Sequence, residues 1–156
     1  MLDLINPDKK LAKPEYKELF PGLQVELGKC QRAVKTASVP VVLVVEGWDT
    51  AGKGRVINRL SQTLDPRGFS VHSMGNSTDE ERARPWMWRY WRNLPAAGRM
   101  TIFSHAWYHH LLVDRMEGDL KDHQWQEACD DIREFERGLA QSGTLILKFW
   151  LHISQD

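Results

Sequence analysis

Apolar residues at Leu23, Leu27, Cys30 and Val34 follow the spacing i, i+4, i+7, i+11, which predicts one face of a helix closed by Ser38 and Pro40. Residues 1–13 are polar and without period, and residues 1–22 are expected to form an N-terminal arm ahead of one domain over 23–156. Val39–Val45 is a short, continuous, β-branched run, the pattern of a strand buried on both faces. Helical spacing returns at Val56, Leu60 and Leu64, and Asp65-Pro66-Arg67-Gly68 is a turn. Phe69–Met74 predicts a second strand. Thr78-Asp79-Glu80-Glu81 is a capping box that opens a helix to about Asn93, bent near Pro85. Arg99–Phe103 predicts a strand and Trp107–Met116 a helix. Trp125, Ala128, Ile132, Phe135 and Leu139 alternate steps of three and four, an amphipathic helix stopped by Ser142-Gly143. Thr144–Ile153 predicts the last strand. Strands alternating with helices in this order define an α/β layered domain with a mostly parallel sheet. Such a strand normally leads into a further loop and helix, so the chain is expected to be a fragment.

Composition narrows the function. The chain has 156 residues, with 21 Lys plus Arg against 21 Asp plus Glu, so its formal net charge is zero. A zero balance argues against nucleic acid or a membrane surface as a partner held by bulk charge, and leaves room for a local cationic site. Cys30 and Cys129 lie far apart and suggest neither a disulfide framework nor a zinc site; they are expected as core or half-buried thiols. The run Val39–Val45 is too short to span a bilayer, and the N-terminus has no signal-peptide pattern, so a cytoplasmic protein is expected.

The sharpest motif is Gly47-Trp-Asp-Thr-Ala-Gly52-Lys53-Gly54, which fits G-x-x-x-x-G-K with Gly in place of the final Ser or Thr. Glycines let successive backbone N–H groups turn inward as an anion nest, and the following helix offers its positive N-terminus. Phosphate is therefore expected on Gly47, Ala51, Gly52, Lys53, Gly54 and Arg55, with Lys53 as a mobile point charge. Gly54 removes the usual hydroxyl ligand for Mg²⁺. Asp49 is an extra carboxylate in the loop that could hold the metal or a substrate group. A glycine-rich turn that binds nothing is the bland alternative, but a buried strand before it and a helix after it favour phosphate.

Taken together, V-V-E-G-W-D-T-A-G-K-G, L-D-P-R-G, T-D-E-E-R-A-R-P-W-M-W-R, L-P-A-A-G-R, I-F-S-H-A-W-Y, F-E-R-G-L and L-K-F-W-L-H-I-S resemble the polyphosphate kinase 2 family, in family order from about Leu23 to the end. The pattern is most similar to the polyphosphate:AMP phosphotransferases, which carry two such domains in tandem. The resemblance implies a P-loop kinase-like three-layer α/β/α sandwich. It also implies Mg²⁺-dependent phosphoryl transfer between inorganic polyphosphate and a nucleotide, AMP or ADP. The family's essential loop Asp and Lys match Asp49 and Lys53, which implies catalytic roles for both and a metal role for Asp49. A family Trp-Arg matches Trp88 and Arg89, and a family Glu-Arg pair is matched by Asp114 and Arg115, so Arg89 and Arg115 are implied to bind substrate. A homo-oligomer, or a tandem with a second domain of the family, is implied as well.

Two departures qualify that picture. The family's Ile-Phe-Asp-Arg-Ser-Trp-Tyr is here Ile102-Phe103-Ser104-His105-Ala106-Trp107-Tyr108, so a metal-holding Asp and a phosphate-facing Arg are replaced by Ser104 and His105. A neutral hydroxyl does not replace a carboxylate at a hard cation. The basic helical lid that follows His-Ile-Ser in the family is absent, so the fold is expected to be truncated before the lid. These departures favour a second reading: a catalytically silent domain that binds phosphate or serves assembly beside an active partner.

The remaining constellations read more plainly. Arg82, Arg84, Arg89, Arg92 and Arg99 interleave with Trp86, Trp88, Tyr90 and Trp91, a pattern that can bind polyanions but is more simply an amphipathic helix. His105, His109 and His110 lack a third ligand at metal spacing. Glu46, just before the loop, is expected as a strand-end carboxylate with a local partner, and no role is assigned to it.

Overall fold

The structure is a computed structural model, and it describes residues 10–117 and 121–153. Strand β1 (Val41–Gly47) is the organising element, because its β-branched residues are buried on both faces. It pairs in parallel with β3 (Met100–Ser104) on one side and β4 (Leu145–Leu151) on the other; β3 pairs in parallel with β2 (Phe69–Ser73). The sheet order is β2-β3-β1-β4. Helices α1 (Lys13–Thr36) and α2 (Lys53–Thr63) cover one face, where Leu27, Val34 and Ile57 pack on Val41, Leu43, Val45 and Ile102. Helices α5 (Trp107–Glu117) and α6 (Asp122–Gln141) cover the other, where Trp107, Ile132, Phe135 and Leu139 pack on Val42, Val44 and Phe103. This is the three-layer α/β/α sandwich with a parallel sheet.

Several element boundaries move. The arm expected over 1–22 is helical from Lys13, and its first nine residues lie outside the described set. Pro14 in the first turn suits a helix start, and Pro21 is accommodated inside the helix. The expected apolar face also rotates. Leu23 is 64% exposed and Cys30 is exposed, whereas Leu27, Gln31 and Val34 meet the domain. Gln31 belongs to that seam because its amide serves both backbone groups of Asp65, donating to the carbonyl at 3.0 Å and accepting from the N–H at 2.8 Å.

The helix expected from Thr78 to Asn93 is two single turns, α3 (Asp79–Arg82) and α4 (Trp88–Trp91), separated around Pro85. Proline lacks the N–H that would continue the ladder. The capping box itself is present, with Thr78 and Glu81 bonding each other's backbone N–H. The last strand lies at the sheet edge and leaves Leu145, Leu147 and Phe149 exposed on the α1–α2 side.

Candidate phosphate site

The site sits at the carboxyl edge of the parallel sheet, where β1 passes through a loop into α2. Gly47 has φ +144°, and a Cβ there would lie 2.3 Å from the Leu151 carbonyl oxygen of β4. The first glycine of the motif is thus required by the neighbouring strand. Gly52 has φ +95° with nothing within 4 Å of a hypothetical Cβ, so its requirement is backbone conformation alone. Gly47→Ala is expected to open the β1–β4 junction and lower stability by about 3 kcal/mol, a fall in Tm of roughly 5–10 °C. Thermal unfolding followed by circular dichroism checks this; an unchanged Tm would contradict the close approach.

The loop closes on itself. The Ala51 N–H donates to the Trp48 carbonyl at 3.2 Å, and Thr50 takes a left-handed φ of +64°. Trp48 Nε1 lies 3.1 Å from His152 Nδ1 and its ring meets Trp150 edge-on at 5.8 Å, which ties the loop to the end of β4. The amides of Gly52, Lys53 and Gly54 head α2, ahead of the first helix bonds, in which the N–H groups of Arg55 and Val56 donate to the Gly52 carbonyl. Arg55 therefore contributes an exposed side chain, its amide being already used. The Lys53 side chain is 10% exposed, and its ammonium donates to the carbonyls of Gly47 at 2.8 Å and Trp48 at 3.0 Å. Lys53 is folded into the cradle, held by carbonyls that an anion can replace.

Asp49 is fully solvent-exposed, 3.8 Å from the Lys53 ammonium, an exposed pair that adds little stability. Among the described residues no three His, Cys, Asp or Glu side chains come together as a metal cage. A cation such as Mg²⁺ keeps several waters and takes other oxygens from bound phosphates, so one or two protein carboxylates suffice. The loop offers one, Asp49, and the donor set fits on those terms.

The turn after β3 faces this loop. Ser104 is buried and follows Met100 and Ile102 onto the face covered by α2. His105 has a left-handed φ of +56° and its ring lies 4.6 Å from that of His109. Burial, aided by repulsion from His109 and Lys53 and opposed by Asp49, holds the His105 imidazole below its usual pKa, so it is neutral at pH 7. A neutral imidazole does not supply the charge of an arginine.

Arg89 and Arg115 have partners. Arg89 donates to Ser77 Oγ at 3.0 Å and the Gly75 carbonyl at 2.8 Å, and pairs with Glu81 at 3.4 Å, holding the loop that leaves β2. A substrate contact by Arg89 would require it to exchange these partners. Arg115, in the last turn of α5, pairs with Asp122 at 3.3 Å and lies over the Trp125 ring at 4.4 Å. The Asp114 side chain lies outside the described residues.

Glu46, expected as a strand-end carboxylate with a local partner and no role, does find a partner in the fold. It is 5% exposed at the end of β1 and accepts the Ala106 N–H at 2.6 Å. Burial raises its pKa from 4.5 to about 7, against the opposing effects of the Ala106 bond and Lys53. Between those values the unfolded chain ionises Glu46 and the folded chain does not, so stability falls as pH rises from 4.5 to about 7 and stays low above. Glu46→Gln keeps an acceptor and removes the ionisation. It is expected to match the wild type near pH 4 and to exceed it by up to about 3 kcal/mol at pH 8 in urea unfolding. Equal stability at both pH values would refute a raised Glu46. The one sequence signal was a carboxylate ending a continuous apolar run just before a glycine.

A parallel sheet whose inner strand runs through a glycine loop into a helix with lysine in its first turn is the P-loop kinase-like α/β fold. The comparisons with known proteins specify the family. The polyphosphate kinase 2 family profile matches residues 10–156, and the chain belongs to that family. It is 37% identical over its whole length to a polyphosphate:AMP phosphotransferase of Pseudomonas syringae pv. tomato, of which it covers 31%. It is 38% identical over 97% of its length to an ADP-polyphosphate phosphotransferase of Pseudomonas aeruginosa, of which it covers 52%. A crystal structure of a polyphosphate kinase 2 from Pseudomonas aeruginosa superposes with a TM-score of 0.92 at 38% identity, over 98% of this chain and 33% of that one. The chain thus spans about a third to about half of the length of these relatives.

Proposed function

We propose that this chain is the phosphate-loop domain of a polyphosphate-dependent nucleotide phosphotransferase. It moves a phosphoryl group between inorganic polyphosphate and a nucleoside mono- or diphosphate, AMP or ADP. One observation carries the reading: Lys53 is folded into a cradle between Gly47 and Gly52 at the carboxyl edge of a parallel sheet. The relatives' names, which specify AMP or ADP and polyphosphate, support the substrate class.

Phosphates lie on the amides of Gly52, Lys53 and Gly54, with Ala51 and Gly47 shaping the loop and Arg55 at its rim. Lys53 stabilises the charge on the transferred group. Asp49 holds Mg²⁺, which when bound neutralises phosphate charge. Arg89 holds the loop above β2 in order, and Arg115 fixes the start of α6. A cytoplasmic setting is part of this reading; among the described residues no helix is long and apolar enough to cross a membrane. Assembly as a homo-oligomer, or in tandem with a second domain of the family, is part of this reading.

Ser104 and His105 support a second reading, a domain that binds phosphate and leaves the chemistry to a partner domain. Both are neutral where transfer calls for a carboxylate and a cation. A coupled assay of the complete protein with polyphosphate, Mg²⁺ and either AMP or ADP tests the proposal. Product formation with at least one acceptor supports it, and no product with either refutes it.

A further inference from the structure

We infer that Glu46 is a positioning residue for the phosphate site: from the buried end of β1 it holds the Ser104–His105–Ala106 turn against the phosphate loop. The inference rests on the phosphate-site reading above and goes further by naming what orders the site's second wall. Three observations meet at this residue. Glu46 immediately precedes Gly47, so its backbone is continuous with the loop. Its Oε1 accepts the Ala106 N–H at 2.6 Å, a bond between residues sixty positions apart that is buried at both ends. The residue between Ser104 and Ala106 has φ +56°, a backbone conformation that a side chain such as His adopts only when its surroundings impose it. Without an acceptor, the Ala106 N–H would be left buried and unpaired, and the turn would lose its tie to β1.

The other groups around Glu46 do not replace that tie. Lys53 on α2 acts on it electrostatically while donating to the carbonyls of Gly47 and Trp48. Tyr108 of α5 and Lys148 of β4 line the same cavity of about 360 Å³, but are bonded to each other and to Glu136 of α6. His105 is adjacent in the turn, and its charge interactions are with His109, Lys53 and Asp49. The acceptor is therefore needed in either protonation state, whereas a negative charge so close to the loop opposes anion binding.

The experiment is calorimetric titration of the 156-residue chain with inorganic tripolyphosphate between pH 6 and pH 8.5, using wild type, Glu46→Gln and Glu46→Ala. Glu46→Gln keeps the acceptor and is expected to bind within about threefold of wild type at pH 6, and several-fold more tightly than wild type at pH 8.5. Glu46→Ala is expected to bind roughly tenfold or more weakly at both pH values while remaining folded by circular dichroism. If Glu46→Ala is folded and binds as wild type does, the positioning role is overturned. If Glu46→Gln binds as poorly as Glu46→Ala, the hydrogen-bond tie is overturned. A wild-type chain that binds no tripolyphosphate overturns this inference and the phosphate-site reading together.

Discussion

Replacing Ser104 with Asp and His105 with Arg in the same molecule is expected to raise polyphosphate-dependent transfer in the complete protein by roughly 10²-fold. The argument is one of charge. Ser104 ends β3 on the face covered by α2, so a carboxylate there would join Asp49 as a second ligand for a hard cation. His105 is neutral at pH 7 because burial, His109 and Lys53 all disfavour its protonation. An arginine in its place stays charged and can bond phosphate oxygens through two donors. The backbone already accommodates a non-glycine residue at the left-handed φ of position 105, so the second change adds no new kind of strain. The first has a cost. An aspartate in the buried position of Ser104 would lose its hydration there and should lower stability in the absence of metal. The measurement is initial rate against Mg²⁺ concentration for wild type, each single variant and the double variant. A double variant no faster than wild type at any Mg²⁺ concentration would mean that the phosphate loop itself is not competent.

The second large effect is expected at Lys53. Lys53→Ala removes the cation folded into the loop and leaves the carbonyls of Gly47 and Trp48 without their donor. Affinity for inorganic tripolyphosphate should fall by roughly 10²-fold, because a charge-assisted contact inside a partly closed cradle is lost and nothing nearby replaces it at pH 7. His105 is neutral, and Arg55 is exposed at the rim. Stability should fall by roughly 1–3 kcal/mol, since two loop carbonyls lose their donor while the solvent-open Lys53–Asp49 pair adds little. Titration calorimetry at low and moderate salt reads the loss. Unchanged affinity would move the anion site away from the loop.

How much of this was legible in the residues differs from element to element. The run Val41–Val45 and the glycine motif behind it announced β1, the loop and α2, because both faces of that strand are buried and the loop's conformation needs glycine. The long amphipathic helix α6 was equally plain, its buried residues Ala128, Ile132, Phe135 and Leu139 all lying on the expected stripe. The start of α1 was hidden because Leu19 and Leu23 are exposed and Gln31 takes a place in the seam, so hydrophobic period misreports the packed face. Proline at position 85 predicts a break, but its depth, two separate turns, depends on tertiary packing of Tyr90 and Met87. Within the site, Asp49 and Lys53 came from the motif. Glu46 did not, because a lone carboxylate that bonds a backbone amide sixty residues away leaves no periodic trace. Arg89 and Arg115 were named from resemblance, and their ion-pair partners, Glu81 and Asp122, follow only from the three-dimensional arrangement.

The most direct measurement is polyphosphate-dependent phosphorylation of AMP or ADP by the complete protein, with and without Lys53→Ala, at saturating Mg²⁺. The account predicts product from the wild type and a loss of roughly 10²-fold or more in the variant. Full activity in Lys53→Ala would contradict a catalytic role for this loop and place the transfer elsewhere.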